Sequence, residues 1–328
     1  MNNFVQSVCL LFLILFCVTP AAYSSQKSEQ PGQAVVLAAF GTTVPAALPG
    51  ILNIRERIMK KYPGTPVRIA FTSNIIRKVW QKRKADQQFL KENPGIPDDI
   101  LHVKGPLATI ANLQDEGYRT IIVQPSHISL GEEYLDLVSY IDGLNAITTI
   151  KPKFRPFEKL AISRPAMGTV GQEHPYGEDL ELLARALAAD ASAAEKQGAA
   201  LLYMAHGNTY MPSGSAYMEF VSIMNRLYPQ VKTYIALVEG FPSLDTILPQ
   251  IKADGSKKLL LKPFMTVAGD HSINDMAGDE PDSWKSILTQ KGFTVVPVLQ
   301  GLGEVDTFAD VFVHHLDDTA RDQGIALH

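Results

Sequence analysis

Three side chains able to bind a transition metal each follow an apolar run: His206 after ALLYMA, Glu239 after TYIALV and His271 after KLLLKPFMTVAGD. Imidazole suits cobalt, nickel, iron and zinc, and a carboxylate tolerates all of them. Two histidines and one carboxylate with positions left open would hold a metal in transit. Neutral imidazoles, whose ordinary pKa is about 6.5, also take up protons near neutral pH. A lone histidine at a strand end is more often a core residue bonded to backbone. Three comparable placements shift the balance to a ligand set. Glu133 follows a fourth run, TIIVQPSHISLGE, and is the candidate on the opposite side, although Glu132 beside it can be read as a solvated helix start. Asp270, Asn274 and Asp275 are placed to cap the next turn or to orient His271 from behind.

These residues sit on an imperfect internal repeat. Pairing Pro125 with Pro263 gives an offset of 138, which also pairs Gly131 with Gly269, Glu132 with Asp270 and Glu133 with His271. AALLYMAHGNT (199–209) matches VVLAAFGTT (35–43) at an offset of 166, setting His206 against Phe40 and Gly207 against Gly41. TYIALVEG (233–240) then matches VRIAFTS (67–73). The two offsets differ by 28, so the first half carries an insertion, placed near 81–105 in a charged, proline-containing stretch.

The runs themselves are continuous rather than alternating, as in strands buried on both faces. Strands alternate with helices: Ala34–Gly41, a helix to about Tyr62 capped by Thr42 and Thr43, Val67–Phe71, a basic helix, a helix from Leu107 to Glu116, then Thr120–Val123. The expected fold is α/β, two pseudo-repeated parallel-sheet half-domains with a cleft between them. The halves are expected at 34–162 and 163–328, after a flexible stretch at 25–33. Ligands of open parallel sheets bind beyond the carboxyl ends of the strands. His206, Glu239, His271 and Glu133 all fall there.

Upstream, the eleven apolar residues Val8–Val18 would rise only about 16 Å as a helix, against a hydrocarbon core of about 30 Å. They read as a secretory signal, residues 1–24, cut after Ser24, which implies export to the periplasm and no membrane span in the mature protein. Both cysteines, Cys9 and Cys17, lie inside it, so disulfides and thiolate chemistry are excluded from the mature chain. A net charge of −4 with mixed signs gives no face for nucleic acid. No Gly-rich phosphate loop and no G-x-S-x-G is present.

Arg77, Lys78 and Lys262 lie near strand ends and are the candidates for binding carboxylates of a substrate. His127 is at a strand-to-loop junction and reads as structural or cleft-lining. His102 falls in the insertion without a repeat partner. His174, His314, His315 and His328 read as structural.

Six segments carry a family resemblance: AFGTT (39–43), FTSNIIRK (71–78), LGEEY (130–134), VEGFPSLD (238–245), VAGDHSINDMAGDEPDSWK (267–285) and LQGLGE (299–304). They resemble the anaerobic-pathway sirohydrochlorin cobaltochelatases, of the class II chelatase superfamily that includes ferrochelatase. The resemblance implies insertion of Co²⁺, or Fe²⁺, into sirohydrochlorin on the way to cobalamin, without nucleotide. It places the active-site histidines at His206 and His271, the metal-site glutamate at Glu239 and the cleft glutamate at Glu133. One departure is AHGN at 205–208, where relatives often have GHG. Export of such a chain also admits a different class, a periplasmic tetrapyrrole, haem or metal carrier. A haem-binding version would take His102 first, then His127, as axial ligand. A homo-oligomer is expected, with the insertion as a natural contact.

Overall fold

The computed structural model describes residues 32–328; the expected signal segment lies outside the described residues. The first half runs β1 (Gly32–Ala39), α1 (Pro49–Lys61), β2 (Val67–Phe71), α2 (Asn74–Arg83), α3 (Gln87–Glu92), α4 (Asp98–Leu101), α5 (Pro106–Asp115), β3 (Tyr118–Pro125), α6 (Glu132–Asn145) and β4 (Lys159–Ile162). After α7 (Tyr176–Ala186) and α8 (Ala188–Lys196), the second half follows. It runs β5 (Ala200–Gly207), α9 (Gly214–Leu227), β6 (Thr233–Glu239), α10 (Leu244–Ala253), β7 (Lys258–Phe264), α11 (Trp284–Gln290), β8 (Thr294–Pro297) and α12 (Asp306–Asp322).

Each half holds a four-stranded parallel sheet, in the orders β2-β1-β3-β4 and β6-β5-β7-β8. The repeat extends to residue register. Val35 faces Val67 in the first sheet as Leu201 faces Thr233 in the second, each pair related by 166. Val35 faces Ile122 as Leu201 faces Leu260, the third strands being related by 138. The central strands β1 and β5 are buried on both faces, which is why they read as unbroken apolar runs.

Three expectations change. β1 begins at Gly32, paired with Tyr118, so residues 32 and 33 belong to the sheet rather than to a flexible stretch. Thr42 does not cap α1. Its hydroxyl accepts from the Val44 N–H at 3.1 Å, and α1 starts later, with proline in its first turn. The insertion is larger than 81–105: α5 is the repeat counterpart of α10 at the 138 offset, so all of α2, α3 and α4 is extra. These helices brace the first strand end. The buried Trp80 donates from Nε1 to the Thr42 carbonyl at 2.8 Å, and Arg83 donates to the Thr43 carbonyl while its guanidinium lies over the Trp80 and Phe89 rings.

The halves also exchange helices. α7, which follows the first sheet, packs on α9 of the second half, whereas α12, which follows the second sheet, packs on α1 and β3 of the first. One core therefore contains side chains from both sheets, such as Leu37 and Tyr203, together with Leu180 of α7 and Phe312 of α12. Where α7 and α12 meet, Arg164 forms a two-pronged pair with Asp179 at 2.9 and 3.1 Å and a third bond to Asp318 at 2.8 Å. The wholly buried His315 adds Nε2 to Asp179 at 3.0 Å.

Candidate active site

The carboxyl ends of both sheets open into one cavity of about 420 Å³. The first half contributes Phe40, Thr42, His127, Ser129, Glu133 and Tyr134; the second contributes His206, Asn208, Tyr217, Met265, Thr266, Asp270 and His271. Two braces hold the strand ends. The Thr266 hydroxyl donates to the Ser126 carbonyl at 2.6 Å, tying β7's loop to β3's. The Leu302 and Gly303 N–H groups donate to the Met265 and Thr266 carbonyls, each at 2.9 Å, so the 299–304 segment buttresses the same loop.

His206 and His271 meet edge to face with ring centroids 5.0 Å apart. Nδ1 of His206 lies 2.9 Å from the Gly207 carbonyl, and Nδ1 of His271 lies 2.5 Å from an Asp275 carboxylate oxygen. Both partners only accept, so in each neutral ring the proton sits on Nδ1 and the lone pair on Nε2. This is how metal-binding imidazoles are ordinarily fixed from behind. Asp270 is tied in turn, accepting from the Asn274 side chain at 2.9 Å.

The glycine after His206 is required by the backbone. Gly207 has φ +74°, and a Cβ there would stand 2.0 Å from the Glu239 carbonyl oxygen. That close approach belongs to the β5–β6 ladder, which sets Gly207 directly opposite Glu239. Its repeat counterpart, Gly41, has φ +100° and is equally closed to a side chain by Phe71.

Comparison with known proteins agrees with this geometry. Residues 33–321 match the family model described as Cobalt chelatase (CbiK). The chain belongs to this cobalt chelatase family. A sirohydrochlorin cobaltochelatase of Nitratidesulfovibrio vulgaris is 31% identical over 307 residues, covering 91% of this chain and 97% of that protein. The sirohydrochlorin cobaltochelatase of Salmonella typhimurium is 26% identical over 287 residues, covering 87% of this chain and 95% of that one. In fold, the chain is similar to the sirohydrochlorin chelatase SirB of Bacillus subtilis subspecies spizizenii, solved with cobalt, at a TM-score of 0.53. Identity there is 11%, with 89% of this chain and 97% of that chain covered.

Of the residues expected at the site of this chelatase-family chain, His206, His271 and Glu133 line the cavity. Glu239 stands exposed at the rim, next to His206 through the strand register and outside the lining itself. Glu132, read in the sequence as a solvated helix start, is exposed and outside the lining. Its carboxyl is held above the usual range, by desolvation first and then by the charges of Glu133, Asp136 and Glu239, with His206 acting the other way.

The three expected carboxylate-binding cations are elsewhere. Lys262 is 3% exposed and paired with the buried Asp190, which also accepts from the Tyr203 hydroxyl at 2.8 Å; its strand is buried on both faces. Arg77 turns back on its own helix start, donating to the Phe71, Thr72 and Asn74 oxygens, and lies against Gly105. Lys78 is exposed on α2 and does not line the cavity. No lysine or arginine is among the lining residues. His102 is exposed at the end of α4, its Nδ1 3.0 Å from the Asp98 carbonyl, also outside the cavity. His127 does line it.

Proposed function

We propose that this chain inserts Co²⁺ into sirohydrochlorin without nucleotide. The observation that carries this reading is the pair His206 and His271, both at the cavity wall with Nδ1 committed and Nε2 holding a lone pair. Metallation removes two pyrrole N–H protons while the incoming ion loses water. The two imidazoles bind the ion and accept protons, Glu239 at the rim offsets the charge of the arriving dication, and Glu133 carries protons away from the opposite wall. Names of the relatives support sirohydrochlorin and cobalt; the chain's own imidazole and carboxylate set is also compatible with Fe²⁺, which such ligands bind more weakly than Co²⁺.

Export to the periplasm and assembly into a homo-oligomer are part of the same proposal, the first resting on the apolar run at 8–18. No helix among the described residues is long and apolar enough to cross a membrane. That apolar run also supports the second reading, a periplasmic carrier on a chelatase scaffold. In a haem-carrying version of that reading His102, exposed at the end of α4 beside Asp98, is the first axial-ligand candidate and His127, on the cavity wall, the second.

Anaerobic metallation of sirohydrochlorin by the purified protein, followed by absorbance with Co²⁺ and Fe²⁺ in separate reactions, tests the proposal. Multiple turnovers establish a chelatase. Stoichiometric binding without turnover establishes the carrier.

A further inference from the structure

The loop between α6 and β4, residues 146–158, is longer than the fold requires. Its counterpart in the second half, between α11 and β8, is only residues 291–293. In both, a phenylalanine just before the strand closes the core: Phe157 packs against a cluster of the first sheet, and Phe293 is buried in a cluster of the second. The rest of the longer loop has no such role. Ile147, Ile150 and Phe154 are all exposed, Ile150 completely and Phe154 by 63%. Exposed apolar residues are ordinary when scattered singly, and informative when one short loop gathers several.

The same loop is cationic. It reads IKPKFRP at 150–156, in a chain whose net charge is −4. Lys153 and Arg155 join Arg119 and Lys159 around an open depression of about 400 Å³. Glu158 is the one carboxylate among the described residues lining it, and Arg119 holds it at 3.1 Å. Lys159 is committed to the Gln323 and Gly324 carbonyls, which leaves Lys151, Lys153 and Arg155 without a carboxylate partner among the described residues. The backbone beneath these side chains is fixed. Phe154 N–H donates to the Lys151 carbonyl at 2.9 Å, Glu158 N–H to the Arg119 carbonyl at 2.8 Å, and the Arg119 guanidinium to the Arg155 carbonyl at 2.8 Å. A loop held in this way loses little freedom on binding. Arg119 stands at the start of β3 and Lys159 at the start of β4, so this face lies at the amino ends of the first sheet, away from the cleft at the carboxyl ends.

We propose that this loop docks the protein on an anionic phospholipid bilayer, with Ile150 and Phe154 entering the headgroup boundary while Lys151, Lys153 and Arg155 lie against the lipid phosphates. Apolar tips set among Lys and Arg are the combination that interfacial binding uses. A protein partner would require a matching surface of about 800 Å² on each side; a bilayer takes projecting tips without one. The cleft then faces away from the membrane and stays open to the aqueous phase.

Cosedimentation of the mature chain, residues 25–328, with vesicles tests the proposal, using phosphatidylcholine alone and a three-to-one mixture with phosphatidylglycerol. Without residues 1–24 the apolar run at 8–18 cannot carry the binding. The mixed vesicles are expected to bind at least tenfold more tightly than the neutral ones, and the difference should shrink between about 0.1 and about 0.5 M NaCl as screening weakens the attraction to phosphate. Replacing Lys151, Lys153 and Arg155 together by glutamine should weaken binding to the mixed vesicles about a hundredfold, at about fivefold per cation. The double change Ile150→Ser and Phe154→Ser should weaken it at least tenfold. All five side chains are exposed, so melting temperature and metallation rate should match the wild type in both variants. Equal binding to the two vesicle types would overturn the proposal, as would wild-type affinity in either variant. Absence of any vesicle binding would overturn it too, and would assign the face to an acidic protein partner. Inorganic phosphate at constant ionic strength should not release the protein from vesicles; release would mean a site for a soluble anion and count equally against docking.

Discussion

The His206 and His271 rings cross at 78° with their centroids 5.0 Å apart, although 65 residues separate them in the chain. β5 and β7 are neighbours in the sheet, so their ends deliver both histidines to one edge. Each ring is then locked by a different device, the first by its own strand's next carbonyl and the second by Asp275 one helical turn on. The asymmetry has a consequence. The His206 tautomer depends on backbone alone, whereas that of His271 depends on a replaceable side chain.

Replacing either histidine by alanine is expected to lower the metallation rate by about a hundredfold or more, the range for a positioned acid–base group. Asp275→Asn should be milder, with Co²⁺ affinity falling about 10- to 100-fold as for other groups that orient a metal-binding imidazole. All three side chains are at least partly exposed, so melting curves should overlay the wild type. Isothermal titration with Co²⁺ and single-turnover absorbance measure the two effects. An Asp275→Asn protein with wild-type affinity would show that His271 is oriented by something else.

Much of this was legible in the sequence because a repeat of parallel strands leaves two strong signals: unbroken apolar runs, and polar residues where they stop. The offsets of 166 and 138 proved to be the register of the sheets themselves. What could not be read involves partners that only the folded backbone brings to a side chain. Lys262 looks like a strand-end cation until Asp190, on a helix preceding the sheet, is brought beneath it. Arg77 looks available until its guanidinium folds onto the carbonyls of Phe71 and Thr72. The exchange of α7 and α12 leaves no local mark, since an amphipathic helix does not encode which sheet it will cover.

Lys78→Ala is expected to leave KM for sirohydrochlorin within twofold, because the side chain does not line the cavity. Lys262→Met should leave KM alone too, but destabilise the fold by about 3–5 kcal/mol, the usual result of stranding one member of a buried ion pair. Urea unfolding beside steady-state kinetics separates the two. A several-fold rise in KM for Lys78→Ala would return substrate binding to the outer surface of α2.

Gly207→Ala tests how the ladder holds Glu239. The alanine must keep φ near +74° and face the Glu239 carbonyl at 2.0 Å, so the strand ends must part or the backbone strain of about 1–3 kcal/mol must be absorbed. Either response shifts His206 or Glu239, and Co²⁺ affinity is expected to fall together with the melting temperature. Unchanged affinity in a folded Gly207→Ala protein would show that the register does not set the ligand geometry.

Acid should loosen the helix crossover before the sheets. Burial lowers the pKa of His315 below its unfolded value of 6.5 despite the neighbouring Asp179. The unfolded chain therefore binds a proton there first, and the stability is full above about pH 6.5 and drains as pH falls below it. Asp179 adds a second window. Burial alone would raise its pKa, but the hydrogen bonds from His315 and Arg164 override it and hold the carboxyl below its ordinary 3.8. That contribution is present above about pH 4 and is lost only in stronger acid. Arg164→Met removes the cation shared by Asp179 and Asp318, two buried carboxylates, and should cost about 3–5 kcal/mol at pH 7. With their cation gone, both carboxyls take up protons more readily, so the variant's deficit should narrow between pH 5 and 3. Urea midpoints measured across pH 3–8 give the test, and a deficit that stays constant with pH would mean that Arg164 acts through packing and not through charge.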